Sequence, residues 1–262
     1  MPISSSGHLN LAEALFGLDV QNQLLLNILL HMGTLLPLAI VFWKDWMAML
    51  RHPIRNRTLF LLVIASLPAL IIKILSAKVL AGLFPMGDPL DYLEGHNFIL
   101  GACFLFTGLL LLLAQAVGAR RERMRKPQKD VGIMQALCMG IMQAIGMAPG
   151  VSRSGASLFG GVASGLTRER AARFSFMMSV PAIIASFASE GYKEWKGGTL
   201  LNAVDWPVIA VGVVVAAVSG YIAIRFMLKL VSKTSLNWFA LYVILLGIAV
   251  LVMQITGLMA AV

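Results

Sequence analysis

Six apolar segments, at about residues 24–43, 58–83, 97–117, 174–189, 206–231 and 235–258, come near or exceed the roughly 20 residues a helix needs to cross a hydrocarbon core. Backbone polar groups find no water there, so such segments must be helices. The expected fold class is therefore an all-α polytopic membrane protein with six transmembrane helices. Composition agrees, because 59% hydrophobic residues, 13% charged residues and a mean hydropathy of +0.85 lie outside the range of soluble domains. The net charge of +9 does not indicate nucleic acid, since the basic residues sit in short loops between apolar runs rather than on one solvated patch. Cys103 and Cys138 lie singly inside apolar segments, with neither metal-ligand spacing nor a disulfide framework. No charged n-region, apolar h-region and cleavage site open the chain, so the helices themselves are expected to direct insertion.

Loop charge sets the expected orientation, because Lys and Arg are retained in the cytoplasm. Lys44, Arg51, Arg55 and Arg57 follow the first span, and Arg120, Arg121, Arg123, Arg125, Lys126 and Lys129 follow the third. Arg168, Arg170 and Arg173 precede the fourth, while Arg225, Lys229 and Lys233 mark the turn between the last two. All these segments are expected in the cytoplasm and the C-terminus outside. Asp88, Asp91 and Glu94 then fall on the external side.

This topology requires the apolar stretch from about 131 to 165 to enter and leave on the same side. Gly140, Gly146, Pro149, Gly150, Gly155, Gly160, Gly161 and Gly165 interrupt it, as two half-helices joined by a polar turn require. Such re-entrant backbone is tolerated only inside protein or around a cavity, so a site is expected there. Pro2-Ile-Ser-Ser-Ser-Gly-His8 resembles Pro149-Gly-Val-Ser-Arg-Ser-Gly155, with Ser4–Gly7 matched to Ser152–Gly155, and each copy precedes three spans. An odd number of spans between the copies predicts an inverted-topology repeat. The expected units are 1–118, a basic loop at 119–130, and 131–262.

Arg153 is the sharpest chemical signal, because an arginine in a glycine-flanked membrane turn is costly unless it meets an anion, and its guanidinium suits phosphate. Ser152, Ser154 and Ser157 offer hydroxyls, Gly155 allows close backbone approach, and a helix beginning there directs amides and a positive dipole end at the same oxygens. The competing reading has Arg153 snorkelling to the headgroups and the serines capping a helix. The first copy adds Ser4, Ser5, Ser6 and His8. If Ser5 and His8 both meet Arg153, they are nucleophile and base, or His8 itself takes the phosphoryl group; otherwise they are a cap and an interfacial histidine. Asn27 and His31 share one helical face in the first span, while His52 and His96 fall in loops.

On the motifs Pro2–His8 and Pro149–Ser157 the chain resembles, from Met1 to its last span, the undecaprenyl pyrophosphate phosphatase family, also called the bacitracin-resistance protein family. Ser157 stands where the family more usually has threonine. The resemblance implies an undecaprenyl-diphosphatase of the bacterial inner membrane with its site facing the periplasm. Such an enzyme removes the terminal phosphate of undecaprenyl diphosphate and so recycles the lipid carrier of cell-wall synthesis. Ser5, His8 and Arg153 would be catalytic, and Ser4, Ser6, Ser152, Ser154, Gly155 and Ser157 would bind substrate. It also implies a divalent metal, Mg²⁺ or Ca²⁺, held by two acidic residues four apart just upstream of the first motif. The chain begins after that position, so the metal ligands are expected upstream of Met1, the start is expected to be misplaced, and the chain as written is expected to be impaired. Glu13 and Asp19 are the acids nearest the first motif. The substrate, membrane lipids and a second copy of the chain are the partners this reading admits.

Two other readings compete. The phosphatidic-acid-type phosphatases need a histidine after the Ser-Arg element, and none follows His96. A polyprenyl-phosphate transporter or flippase would use the same broken helices, and Arg153 would bind the anion reversibly. Release of inorganic phosphate separates that alternative from the enzyme.

Overall fold

The structure, a computed structural model, describes residues 2–16, 24–53, 55–77, 99–148, 150–197 and 206–256. Ten α-helices occur among them: α1 (Ser5–Phe16), α2 (Leu24–Val41), α3 (Trp43–Arg51), α4 (Arg57–Leu75), α5 (Leu100–Arg123), α6 (Ile133–Ile145), α7 (Arg153–Ala163), α8 (Arg168–Gly197), α9 (Trp206–Lys233) and α10 (Asn237–Ile255). Each of the six expected spans is helical over most of its described part, through α2, α4, α5, α8, α9 and α10, with a break at Phe42 in the first and a turn at 235–236 before the last. By length and composition α4, α5, the stretch Ala210–Val231 of α9, and α10 qualify as spans, and α2 with α3 makes a fifth if that bent pair is one span. Only 17% of the α4 window and 22% of the α10 window is buried inside the protein. Residues such as Val63, Ile71, Leu245 and Val252 therefore present apolar side chains outward, as a bilayer requires and water would not allow.

Two basic segments read as loops are partly helical. The chain bends by 82° between Gly33–Val41 and α3 about the buried Phe42, so Lys44 and Arg51 stand on a short amphipathic helix with Met49 buried beneath it. Helix α5 extends to Arg123 and carries Arg120, Arg121 and Arg123 in its last turn, where cations oppose the negative end of the helix dipole.

Packing relies on small residues, as expected where lipid removes the hydrophobic drive between helices. On the α5–α10 seam a methyl at Gly101 would stand 3.0 Å from the Gly247 carbonyl oxygen, and one at Gly247 would stand 2.9 Å from the Gly101 carbonyl oxygen. Helix α6 lies between α4 and α7 on the same principle, for a methyl at Gly140 would strike the Ala65 carbonyl and one at Gly160 would come within 2.7 Å of the Cys138 carbonyl. Phe42, Leu62, Met139, Leu158, Phe174 and Met178 fill the buried core that supports these helices.

Helices α6 and α7, at 13 and 11 residues, are about 20 Å and 17 Å long and fall short of a hydrocarbon core about 30 Å thick. Their outer ends meet. Lys129 N donates to Gly165 O at 3.3 Å, and Gln135 Nε2 donates to Ser164 O at 3.1 Å, so the stretch leaves where it enters. Around that end lie the ion pairs Arg170–Asp130 and Arg173–Asp45, both at 2.6 Å, and the bonds from Arg168 to Gln115 Oε1 and Thr234 O. The basic segments flanking α3, α5, α8 and α9 are thus gathered at one end of the molecule.

Candidate active site

The two motif copies form the same helix start. Ser4 Oγ accepts the Gly7 amide at 3.2 Å to cap α1, and Ser152 Oγ accepts the Gly155 amide at 3.1 Å to cap α7. Ser4 and Ser6 hydroxyls lie 3.5 Å apart, and those of Ser152 and Ser154 lie 3.4 Å apart. Ser5 and Arg153 hold the equivalent first helical position, and both are exposed. Ser6 is exposed as well, Ser154 is half-buried, and Ser4 and Ser152 are buried.

These starts touch one another. A methyl on Gly7 would stand 2.9 Å from Gly150 Cα and 2.8 Å from Phe104 Cζ, and one on Gly155 would stand 3.5 Å from Pro2 Cβ. Gly150, at φ +86°, needs its glycine both for that conformation and because a methyl there would stand 2.8 Å from Cys103 Cβ and 3.1 Å from Leu100 O. Pro2 and Ser154 also line one pocket with Leu158, Ala172, Ser175 and Phe176. Two positive dipole ends are thereby brought together beside Ser5, Ser6 and Arg153, an arrangement suited to a multiply charged anion. Pro149 lies outside the described residues, as do the side chains of Asn27 and His31.

Thr107 on α5 locks the second turn. Its hydroxyl donates to Gly150 O at 3.2 Å and accepts the Ser152 amide at 3.0 Å, deep in the protein. Gly146 lets the end of α6 pass under Arg153, since a methyl there would stand 2.7 Å from Arg153 Cα. Ser157 is directed inward: its buried hydroxyl bonds Arg153 O at 2.8 Å and Ser175 Oγ at 2.6 Å, which ties α7 to α8. In this geometry Ser157 supports the helix that carries Arg153.

His8 stands one turn into α1. Its Nδ1 lies 2.7 Å from Ser4 O and its Nε2 lies 2.7 Å from the Tyr242 hydroxyl on α10. Phe104 meets the ring edge-on at 5.4 Å between centroids. Both imidazole nitrogens are taken by these partners, so His8 is not bonded to Arg153. Tyr242, Thr107, Phe104 and Ser175 are not marked by the sequence, because each lies in a span and only folding brings it to a motif. Among the described residues no group of three or more His, Cys, Asp or Glu gathers. Of the acids whose side chains are described, Asp45 and Asp130 are engaged in ion pairs at the basic end, and Glu122 and Glu169 are exposed on helices that carry its arginines. The residues described therefore do not fit a divalent-metal site.

A polytopic helical membrane protein with a re-entrant, capped, arginine-bearing turn is the class these features define. The profile described as bacitracin resistance protein BacA matches residues 1–249. An undecaprenyl-diphosphatase of Carboxydothermus hydrogenoformans is 35% identical over 257 residues, covering 98% of this chain and 92% of that one. One from Christiangramia forsetii is 35% identical over 262 residues, covering 96% and 91%, and undecaprenyl-diphosphatase 3 of Bacillus cereus is 32% identical over 256 residues, covering 98% and 92%. The chain belongs to the BacA bacitracin resistance protein family.

Proposed function

We propose that this chain is an undecaprenyl-diphosphatase, releasing the terminal phosphate of undecaprenyl diphosphate to leave undecaprenyl phosphate. Family membership and the names of its relatives support hydrolysis over the transporter alternative. The observation that carries the site is the meeting of the two capped helix starts at Gly7–Gly150 and Pro2–Gly155, which puts Ser5 and Arg153 on equivalent positions of adjoining helices.

In this reading Arg153 forks onto the terminal phosphate, and the starts of α1 and α7 stabilise charge on its equatorial oxygens. An oxygen nucleophile, either the Ser5 hydroxyl or water, attacks the terminal phosphorus in line. The bond from that phosphorus to the bridging oxygen breaks, and its electron pair leaves on undecaprenyl phosphate. Nε2 of His8 takes the proton released by the nucleophile. If Ser5 attacks, water then cleaves the phosphoserine; direct phosphoryl transfer to His8 is the variant in which Nε2 is the nucleophile. Ser4 and Ser152 hold the helix starts, while Ser6, Ser154 and Gly155 border the phosphate.

Location in the bacterial inner membrane with the site open to the periplasm, contact with membrane lipids, and pairing into a homodimer belong to the same proposal. Dependence on Mg²⁺ or Ca²⁺ is proposed for the overall reaction, with no step assigned to it. Phosphate release from undecaprenyl diphosphate by the purified chain in detergent is the test. Loss of release in Arg153→Ala is expected, and arms with Mg²⁺ and with a chelator read the metal dependence. Saturable binding of the lipid without any phosphate release would instead establish the carrier.

A further inference from the structure

Tyr242 approaches His8 from a helix 234 residues away in sequence and supplies the bond to Nε2. On the other side of the ring, Ser4 O can only accept, so Nδ1 carries a proton. In the neutral imidazole Nε2 then holds a lone pair, and the Tyr242 hydroxyl donates to it. The backbone of Ser4 is shaped to hold the ring. It sits at φ 63°, a left-handed conformation uncommon for serine, and its carbonyl receives both the His8 amide at 3.2 Å and the His8 ring. The Tyr242 ring lies nearly parallel to the imidazole, at 13°, and the Phe104 edge closes a further side. Among the described residues no carboxylate comes within ion-pair distance of His8.

Histidine bases are ordinarily oriented by a third group, most often a carboxylate or carbonyl, that fixes the tautomer. Here that work is divided between a strained carbonyl and a phenol. We propose that Tyr242 is a positioning residue for the hydrolysis: with the tautomer set by the Ser4 carbonyl, it fixes the orientation of the His8 ring and holds the Nε2 lone pair ready, and it yields that lone pair to the nucleophile's proton when the lipid diphosphate binds. The inference rests on the reading of His8 as the base. Tyr242 is 46% exposed, so removing its hydroxyl leaves the surrounding packing in place.

The test compares the whole chain with its Tyr242→Phe and His8→Ala variants by steady-state phosphate release and by ¹⁵N NMR of labelled histidine. Only four histidines are present, and His8→Ala assigns the His8 signals by their loss. The wild-type signals are expected to report a single Nδ1–H tautomer. In Tyr242→Phe the Nδ1–H tautomer is expected to stay, held by the Ser4 carbonyl, while the Nε2 signal shifts with loss of its hydrogen bond, kcat falls about tenfold, as loss of one orienting hydrogen bond implies, and KM holds. An unshifted Nε2 signal or wild-type kcat in Tyr242→Phe, with turnover abolished in His8→Ala, would overturn the role of Tyr242 and leave His8 as the base. Undiminished release by His8→Ala would overturn both.

Discussion

At the second motif the capping serine, Ser152, has an ordinary extended backbone at φ −75°, and its turn is held from outside by Thr107. At the first motif the equivalent Ser4 sits at φ 63°, and its carbonyl turns back to take His8. The caps are alike, yet what each presents differs. The second copy places Arg153 at the first helical position and Ala156 one turn below its cap; the first places Ser5 and His8 there. The two helix starts are thus alike in their caps and differ in the side chains they present, and under the proposed function this separates the cation from the nucleophile and base. A single helix start offers its small first turn to only a few side chains, so two adjoining starts hold more chemistry than one.

Exchanging the two positions tests this division of roles. Arg153→Ala is expected to lower phosphate release by about 10³-fold, and Ser5→Arg combined with Arg153→Ser is expected not to restore it. Recovery in the double variant would show the copies to be interchangeable. His8→Ala is expected to cost about 10²-fold in kcat, read from the same assay, because a general base is lost while the phosphate cradle remains.

Stability sharpens the contrast between the caps. Thr107→Val removes the hydroxyl that serves both Gly150 O and the Ser152 amide, and it is expected to cost about 2 kcal/mol in detergent unfolding, since two buried backbone groups lose their partner. Ser152→Gly is expected to be more destabilising than Ser4→Gly by about 1 kcal/mol, because glycine relieves the left-handed strain only at Ser4. Equal costs would mean that the Ser4 conformation stores nothing. The smallest functional effect is expected for Ser157→Ala: phosphate release within about threefold of wild type, with about 1 kcal/mol of stability lost along with the bonds to Ser175 Oγ and Arg153 O.

Much of this is legible in local patterns. Apolar length marks the membrane segments, and glycines crowded between basic loops mark 131–165 as re-entrant, because a span and a half-helix differ in how many residues run without a break. Short polar motifs announce helix caps, and Arg153 stands out because a cation in such a turn needs a reason. The helix at Trp43–Arg51 is hidden, since lysine and arginine after an apolar run read as loop while the same residues also suit a short amphipathic helix at a bend. The bond from Ser157 to Ser175 is hidden as well, because a sequence does not reveal that the fourth residue after Arg153 turns its side chain into the α7–α8 contact.

The sequence by itself determined the class of protein, the broken stretch, the capping serines and the arginine, since each follows from the solvation and hydrogen-bonding needs of residues close together in the chain. Tertiary structure alone decided that the two motifs touch, that Thr107 braces a turn 45 residues away, and that Tyr242 reaches His8 across 234. Those meetings depend on how close glycine-lined helices can pack, and no local pattern within a single span records which side chain on the facing helix will arrive.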